Sequence, residues 1–239
     1  MDKHTNASEL VQLKLNIETS VGESTPTEAE YGVSLPLVEV GVARLDETQL
    51  TPEEYLDLFR KSKALLDGHF LLTSGKHSAQ YMQCAQVLQY PDRAALLAEG
   101  LAASFRDQGI QTVIGPAMGG ILVAHEVAKA LGVRALFTER ENGIMRLRRG
   151  FTLSQGERVL VVEDVITTGG SVREVLAVVQ EFEAIPVGVG VLVDRTGGRV
   201  DFGLPMASLI QLHIQAYEAQ ECPLCAQGIP AIKPGSRKA

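Results

Sequence analysis

Residues 158–171 read R-V-L-V-V-E-D-V-I-T-T-G-G-S, and this window constrains the fold more than any other. The valine-rich run from Val159 to Val162 is the kind of segment that a parallel sheet buries on both faces. It runs directly into two adjacent carboxylates, Glu163 and Asp164, and then into Thr167, Thr168, Gly169, Gly170 and Ser171. A helical pattern follows. Glycines let the backbone turn tightly and approach an anion. The loop N–H groups and the positive end of the next helix then face that anion, and the hydroxyls add donors. The carboxylates stand where they can accept hydrogen bonds from sugar hydroxyls or meet a metal through water. The window is neither a Walker A loop, since it lacks G-K-[ST], nor a G-x-G-x-x-G turn.

The same strand, turn and helix order recurs along the chain. Residues 112–115 form a short apolar strand that meets the second glycine turn, Gly115-Pro116-Ala117-Met118-Gly119-Gly120, before a helix to Leu131. Further strands are expected at 133–137 and 187–193, and helices at 92–107 and 172–183. Such alternation predicts an α/β fold with an open parallel sheet flanked by helices. Right-handed crossovers bring the strand C-terminal ends to one edge, where open sheets bind ligands. Both glycine turns, the acidic pair and Asp194-Arg195 lie at such ends.

Upstream, Thr51-Pro52-Glu53-Glu54 has the form of a helix start, with Thr as N-cap, Pro first and Glu third. Tyr55, Leu58, Phe59, Leu65 and Leu66 are expected on its apolar face, and residues 68–78 form an expected hairpin. Four segments result: an N-terminal extension at 1–48, a helix and hood at 49–90, a core at 91–215 and a tail at 216–239. Within the extension, residues 20–30 are rich in Ser, Thr, Glu and Pro, as in a flexible segment, with short strands near 11–17 and 35–42.

The 239 residues suffice for one α/β domain with additions. A formal net charge of −7 argues against a nucleic-acid binder, so a polyanionic substrate must be steered by local cations. No apolar run approaches the roughly 20 residues of a membrane span, and the N-terminus has no signal-like core. A cytoplasmic protein is expected. Cys84 stands alone, while Cys222 and Cys225 form C-P-L-C. With His213 the only histidine nearby in sequence, the expectation there is a reduced thiol pair in a loop rather than a metal site.

The acidic pair followed by V-I-T-T-G-G-S resembles the diphosphoribosyl-binding motif of type I phosphoribosyltransferases. Three further segments, F-L-L-T-S-G-K-H-S at 70–78, G-P-A-M-G-G-I at 115–121 and V-D-R at 193–195, are similar to the hood, the second phosphate loop and the base-recognition strand end of the orotate phosphoribosyltransferases. The resemblance runs from about Pro52 to the C-terminus. It implies a type I phosphoribosyltransferase-like sheet with a small N-terminal hood. It also implies Mg²⁺-dependent transfer of phosphoribosyl from 5-phospho-α-D-ribose 1-diphosphate (PRPP) to orotate, giving orotidine 5′-phosphate and pyrophosphate in UMP synthesis. Mg²⁺ is then held mainly by the substrate and by no side chain directly.

Residue roles carry over by position. Glu163 and Asp164 hold the ribose hydroxyls, and Val165, Ile166, Thr167, Thr168, Gly169, Gly170 and Ser171 form the 5′-phosphate loop. Thr167 also contacts orotate, and Arg195 pairs with the orotate carboxylate. The segment 138–150 carries Arg140, Arg146, Arg148 and Arg149 and reads as a mobile lid, with Arg140 matching the family's diphosphate arginine and Arg146 standing in for a loop lysine. Lys76, Tyr81 and Met118 are further candidate contacts. The family closes its lid over a neighbouring subunit, so a homodimer with shared sites is implied, with no nucleic-acid or membrane partner. The chain departs from the family pattern at Thr73 and Met118, where many members carry Lys, and at Glu141, where they carry Lys. The lid also lacks their histidine. Arginines stay protonated, so charge stabilisation rather than proton donation is expected of this segment. Two other readings stay open: transfer to another nucleobase, and a ligand-sensing regulator on the same fold.

Overall fold

The computed structural model of the protein describes residues 50–72 and 74–234. The short strands expected near 11–17 and 35–42 lie outside the described residues, as does the rest of the extension at 1–48. The first helix, α1 (Pro52–Lys61), starts with a complete capping box: the Thr51 hydroxyl accepts from the Glu54 N–H, and the Glu54 carboxylate accepts from the Thr51 N–H at 2.7 Å. Tyr55, Leu58 and Phe59 are buried. Leu65 and Leu66 are not on this helix. Lys63 takes a left-handed conformation (φ 55°), and the Ala64 N–H folds back onto the Phe59 carbonyl while the Lys63 N–H reaches Arg60. That is a Schellman stop made without glycine, and it releases the chain into β1 (Leu65–Leu71).

Strand β1 turns into β2 (His77–Met82), pairing Leu71 with His77 and Phe70 with Ser78. This is the expected hairpin. Its third strand comes from the far end of the chain: β9 (Ala216–Tyr217) pairs with His77 and Ser78, and Ile232 bridges to Phe70. Residues of the tail therefore belong to the hood sheet.

Two helices, α2 (Ala85–Leu88) and α3 (Pro91–Ala103), lead into the core. There, β3 (Thr112–Pro116), α4 (Gly119–Leu131), β4 (Arg134–Glu141), β5 (Ile144–Leu147), β6 (Arg158–Ile166), α5 (Gly170–Glu181), β7 (Ile185–Asp194) and β8 (Met206–Gln211) follow in order. The strand order is β5-β4-β3-β6-β7-β8, parallel throughout except for the antiparallel edge strand β5. One-turn α6 (Pro223–Ala226) closes the described chain. None of the described helices is long and apolar enough to cross a membrane.

The segment expected to be a mobile lid is a β-hairpin at the sheet edge. Strand β4 runs on to Glu141, and Asn142 (φ 51°) and Gly143 (φ 81°) make a two-residue turn into β5. Two positive φ values at Asn-Gly match the right-handed twist of a hairpin.

Alternation along β7 sorts its two faces. Val189 and Val191 pack with Val172, Val175 and Val179 of α5. On the other face, Gly188 and Gly190 leave room for Phe105 and Leu101 to lie directly on the strand. Helix α3 is pressed as closely against α1, since a Cβ at Gly100 would overlap the Tyr55 hydroxyl. Gly100→Ala should therefore lower unfolding stability by about 1–3 kcal/mol, measured by urea denaturation, and Tyr55→Phe should return part of that loss.

Candidate active site

The topology reverses between β3 and β6. From β3 the chain crosses to β4 on one side, and from β6 it crosses to β7 on the other. Such switch points open a crevice beyond the strand C-terminal ends. The turn after β3 and the turn after β6 flank this one, and each opens a helix whose N-terminus has no side-chain cap. Two sets of unengaged N–H groups thus start side by side, a favourable place for anionic oxygens.

The first turn is drawn tight against the second. The Ala117 N–H donates to the Thr138 carbonyl at 2.8 Å, and the Ala117–Met118 peptide is cis. A Cβ at Gly119 would overlap the Asp164 carboxylate, and one at Gly120 would lie 3.3 Å from Glu163 Oε1. Only glycine lets the start of α4 sit this close to the acidic pair.

Glu163 is 8% exposed, and Asp164 is half-buried. Asp164 Oδ1 accepts from the Val165 N–H at 2.8 Å, and Glu163 Oε1 from the Asp164 N–H at 3.2 Å. Among the described residues neither carboxylate has an ion-pair partner. Glu157, by contrast, is engaged by Arg134, Thr112 and the Ser154 N–H at the opposite end of the sheet, and that environment lowers its carboxyl. Burial, and then the neighbouring Asp164, push the Glu163 carboxyl up to about 9. Burial raises Asp164 as well. Two desolvated carboxylates without a cation favour a ligand that brings hydroxyl donors or positive charge. Cys84 packs behind them, its Sγ 3.9 Å from the Asp164 carbonyl. Burial and both acids hold it as a thiol.

Past the pair, Val165 and Ile166 complete β6. Thr167, Thr168 and Gly170 are exposed and Ser171 is half-buried. Gly169 (φ 73°) caps α5 beneath Phe202 and Val200, which a Cβ there would meet at 2.9 Å. Arg173 stacks on Phe202 and donates to the Asp201 carbonyl, which fastens this cover.

At the end of β7 the Arg195 N–H donates to the Ile166 carbonyl at 2.9 Å, joining that residue to the start of the loop. Arg195 Nε is buried without a hydrogen-bond partner among the described residues. Burial pulls its guanidinium down from the ordinary value, while Cys84 and Tyr81 act in the other direction. Asp194, Thr196 and Thr138 are buried nearby in the sequence of strand ends, each with one side-chain oxygen unpartnered. Sequence reading placed Asp194 at a strand end beside Arg195 and passed over Thr138 and Thr196. The available signal was a polar residue directly after an apolar strand, at an edge where every other strand end carried a candidate.

The other candidates separate into two groups. Arg140 clamps Glu174 of α5 with both guanidinium nitrogens, at 2.8 and 3.1 Å, one turn past the 167–171 loop. Tyr81, on β2 of the hood, donates to Gln83 at 3.3 Å, and Met118 is 83% exposed on the first turn. Arg146 and Arg148 instead pair with Glu141, and Arg149 with Glu139, along the hairpin itself. Lys76 pairs with Glu218 at 2.9 Å within the hood.

Residues 83–202 match the phosphoribosyl transferase domain family. The chain is 60% identical over 186 residues to an orotate phosphoribosyltransferase of Desulforamulus reducens, covering 78% of this chain and 97% of that one. It is 59% identical over 189 residues to one of Pelotomaculum thermopropionicum, covering 79% and 100%. Among solved structures, orotate phosphoribosyltransferase from Mycobacterium tuberculosis in complex with inorganic phosphate aligns with a TM-score of 0.57 at 26% identity, covering 67% of this chain and 95% of that one.

The acidic pair has a consequence for stability without ligand. A carboxyl whose folded pKa is raised favours the fold while protonated, so its contribution falls as pH climbs from the unfolded value near 4.5 through about 9. Glu163→Gln removes that titration. Its melting temperature should exceed wild type at pH 8 and converge with it at pH 5, as read by thermal denaturation.

Proposed function

The chain belongs to the orotate phosphoribosyltransferases of the phosphoribosyl transferase family, and on that premise we propose that the crevice between β3 and β6 binds PRPP and orotate and joins them. Orotate N1 bonds to ribose C1 as the C1–oxygen bond to pyrophosphate breaks, with inversion, and orotidine 5′-phosphate forms. The observation that carries this reading is the pair of buried Glu163 and half-buried Asp164, without an ion-pair partner among the described residues and set between two helix starts that lack a side-chain cap.

The carboxylates accept from the ribose 2′- and 3′-hydroxyls. In the ionised form, which the positive character gained by the sugar as the leaving group departs would itself favour, they stabilise that charge. The 167–171 loop and the first N–H groups of α5 hold the 5′-phosphate. The α4 start faces the diphosphate, joined by Arg140 from the hairpin. Arg140 reaches it by exchanging Glu174 for the anion, and Arg146 follows when the hairpin bends inward. Arg195 pairs with the orotate carboxylate, and Thr167 touches the base. Tyr81 and Met118 are further contacts from the hood and the first turn, and Lys76 joins them only by leaving Glu218.

The acidic pair supplies oxygen donors only, a set that suits a hard cation held mainly through substrate oxygens. Mg²⁺ bound with the diphosphate neutralises charge on the leaving group. The protein then acts as a cytoplasmic homodimer whose hairpins serve the neighbouring site. Two alternatives, another nucleobase or a regulator without catalysis, lose ground to Arg195 at the base end, whose buried Nε has no hydrogen-bond partner among the described residues, and to the intact acidic pair.

An assay with PRPP, Mg²⁺ and orotate, followed by loss of orotate absorbance, should show turnover that chelation abolishes, with none for uracil or hypoxanthine. Turnover of another base would overturn the base-site reading, and donor binding without turnover would support the regulator. In the same assay Arg195→Ala should raise the KM for orotate about 10- to 100-fold, the equivalent of losing a hydrogen bond to a charged group. The KM for PRPP should change little, and equal effects on both would refute the assignment.

A further inference from the structure

The C-P-L-C motif does not meet the environment its sequence neighbours suggest. His213 lies elsewhere, exposed beside Gly197. The fold instead brings Cys222 and Cys225 onto the hood hairpin, against His69 of β1 and His77 of β2. Leu71 pairs with His77 and Phe70 with Ser78, and His69 lies in the irregular stretch between Asp67 and Phe70, from which its ring reaches His77. Cys222 caps α6 and Cys225 lies within it, so a single helical turn presents both thiols to one point.

The four ligand atoms lie within 4.8 Å of one another. His69 Nε2 is 2.8 Å from His77 Nδ1, 3.5 Å from Cys222 Sγ and 3.8 Å from Cys225 Sγ, and Cys225 Sγ is 3.2 Å from His77 Nδ1. The edges of a tetrahedron with Zn–S of about 2.3 Å and Zn–N of about 2.0 Å run roughly 3.3–3.8 Å. The cluster is therefore close to coordination size: the His69–His77 contact must open, and the widest separation, up to 4.8 Å, must close. His69 and Cys222 are each 2% exposed. His69 Nδ1 lies 2.7 Å from the Ile229 carbonyl, which can accept only from Nδ1–H. That hydrogen bond fixes the tautomer and turns the Nε2 lone pair into the cluster, the outer support that metal-bound histidines use. A reduced thiol pair needs neither histidine, and both cysteines are free of disulfides.

We propose that His69 Nε2, His77 Nδ1, Cys222 Sγ and Cys225 Sγ bind one zinc ion in a closed tetrahedral site. Two thiolates and two neutral imidazoles balance the charge of Zn²⁺, and two thiol protons leave on binding. With four protein ligands no position remains for water, so the role is structural. The ion ties β1, β2 and the tail together in a sheet whose strands have seven, six and two residues. So small a sheet has little core of its own. The staple holds in place the strand that carries Tyr81 toward Arg195. The site shares no ligand with the acidic pair, so it stands or falls independently of the proposed reaction.

The test uses the untagged full-length chain purified without added metal. Elemental analysis should find one zinc per chain. Exchange with Co²⁺ should give the visible d–d bands of a tetrahedral site and a sulfur-to-cobalt charge-transfer band. Cys225→Ser and His77→Ala should lose the metal and lower the melting temperature by several degrees, while His77→Cys should retain it. Substoichiometric zinc with no tetrahedral cobalt spectrum, a Cys222–Cys225 disulfide in the purified protein, or zinc retained at one per chain in both loss variants would overturn the proposal. If a variant fails to fold, the stoichiometry and cobalt spectrum of the unmodified chain still decide.

Discussion

Two adjacent carboxylates, one buried and one half-buried, without a counter-charge among the described residues are the constraint on which the rest of this molecule depends. Leaving Glu163 and Asp164 in that state costs free energy, and the surrounding structure exists to hold them there. Apolar β6 delivers them to the switch point between β3 and β6, where the strand order leaves a crevice. Gly119 and Gly120 bring α4 against them, and Cys84 fills the space behind. Relaxing any of these contacts would admit water and let the pair ionise like surface acids. A ligand that supplies hydroxyls and developing positive charge receives a stronger interaction here than at a solvated pair.

The anion sites are arranged around that pair by the same economy of backbone. Neither α4 nor α5 has a capping side chain at its start, so their first N–H groups face the crevice rather than the protein. Arg195 is joined to the loop through its own backbone and keeps its guanidinium partly desolvated. Arg140 rests on the half-exposed carboxylate of Glu174, on the helix that begins at the loop. The hood contributes from the other side, through a sheet assembled from both ends of the described chain.

Much of this was legible residue by residue. The capping box at Thr51, the apolar run of β6, the glycine turns and the candidate strand ends all follow from patterns a few residues long. The misreadings were also local. The stop at Lys63 escaped because a non-glycine residue adopted the left-handed conformation, so Leu65 and Leu66 read as a continuing helix face. The strand pairing within 138–150 went unseen because its arginines drew more notice than the Asn-Gly turn that joins the two strands. Arg146, read as a stand-in for a loop lysine, and Lys76, read as a further contact, each have a carboxylate beside them that the local pattern did not reveal.

What the sequence by itself determined is whatever depends on neighbours along the chain: the strand–turn–helix alternation, the order of acids, hydroxyls and glycines after β6, and the family resemblance those segments carry. What only the tertiary structure decided depends on residues far apart. Burial of the acidic pair needs Gly119, some forty residues upstream, and its raised protonation is a property of that burial rather than of two acids in a row. Strand β9 and Ile232 join a sheet begun some 150 residues earlier. Cys222 meets His69 across 153 positions. Desolvation and coordination are fixed by distances in space, and a sequence records those only where the chain happens to be local.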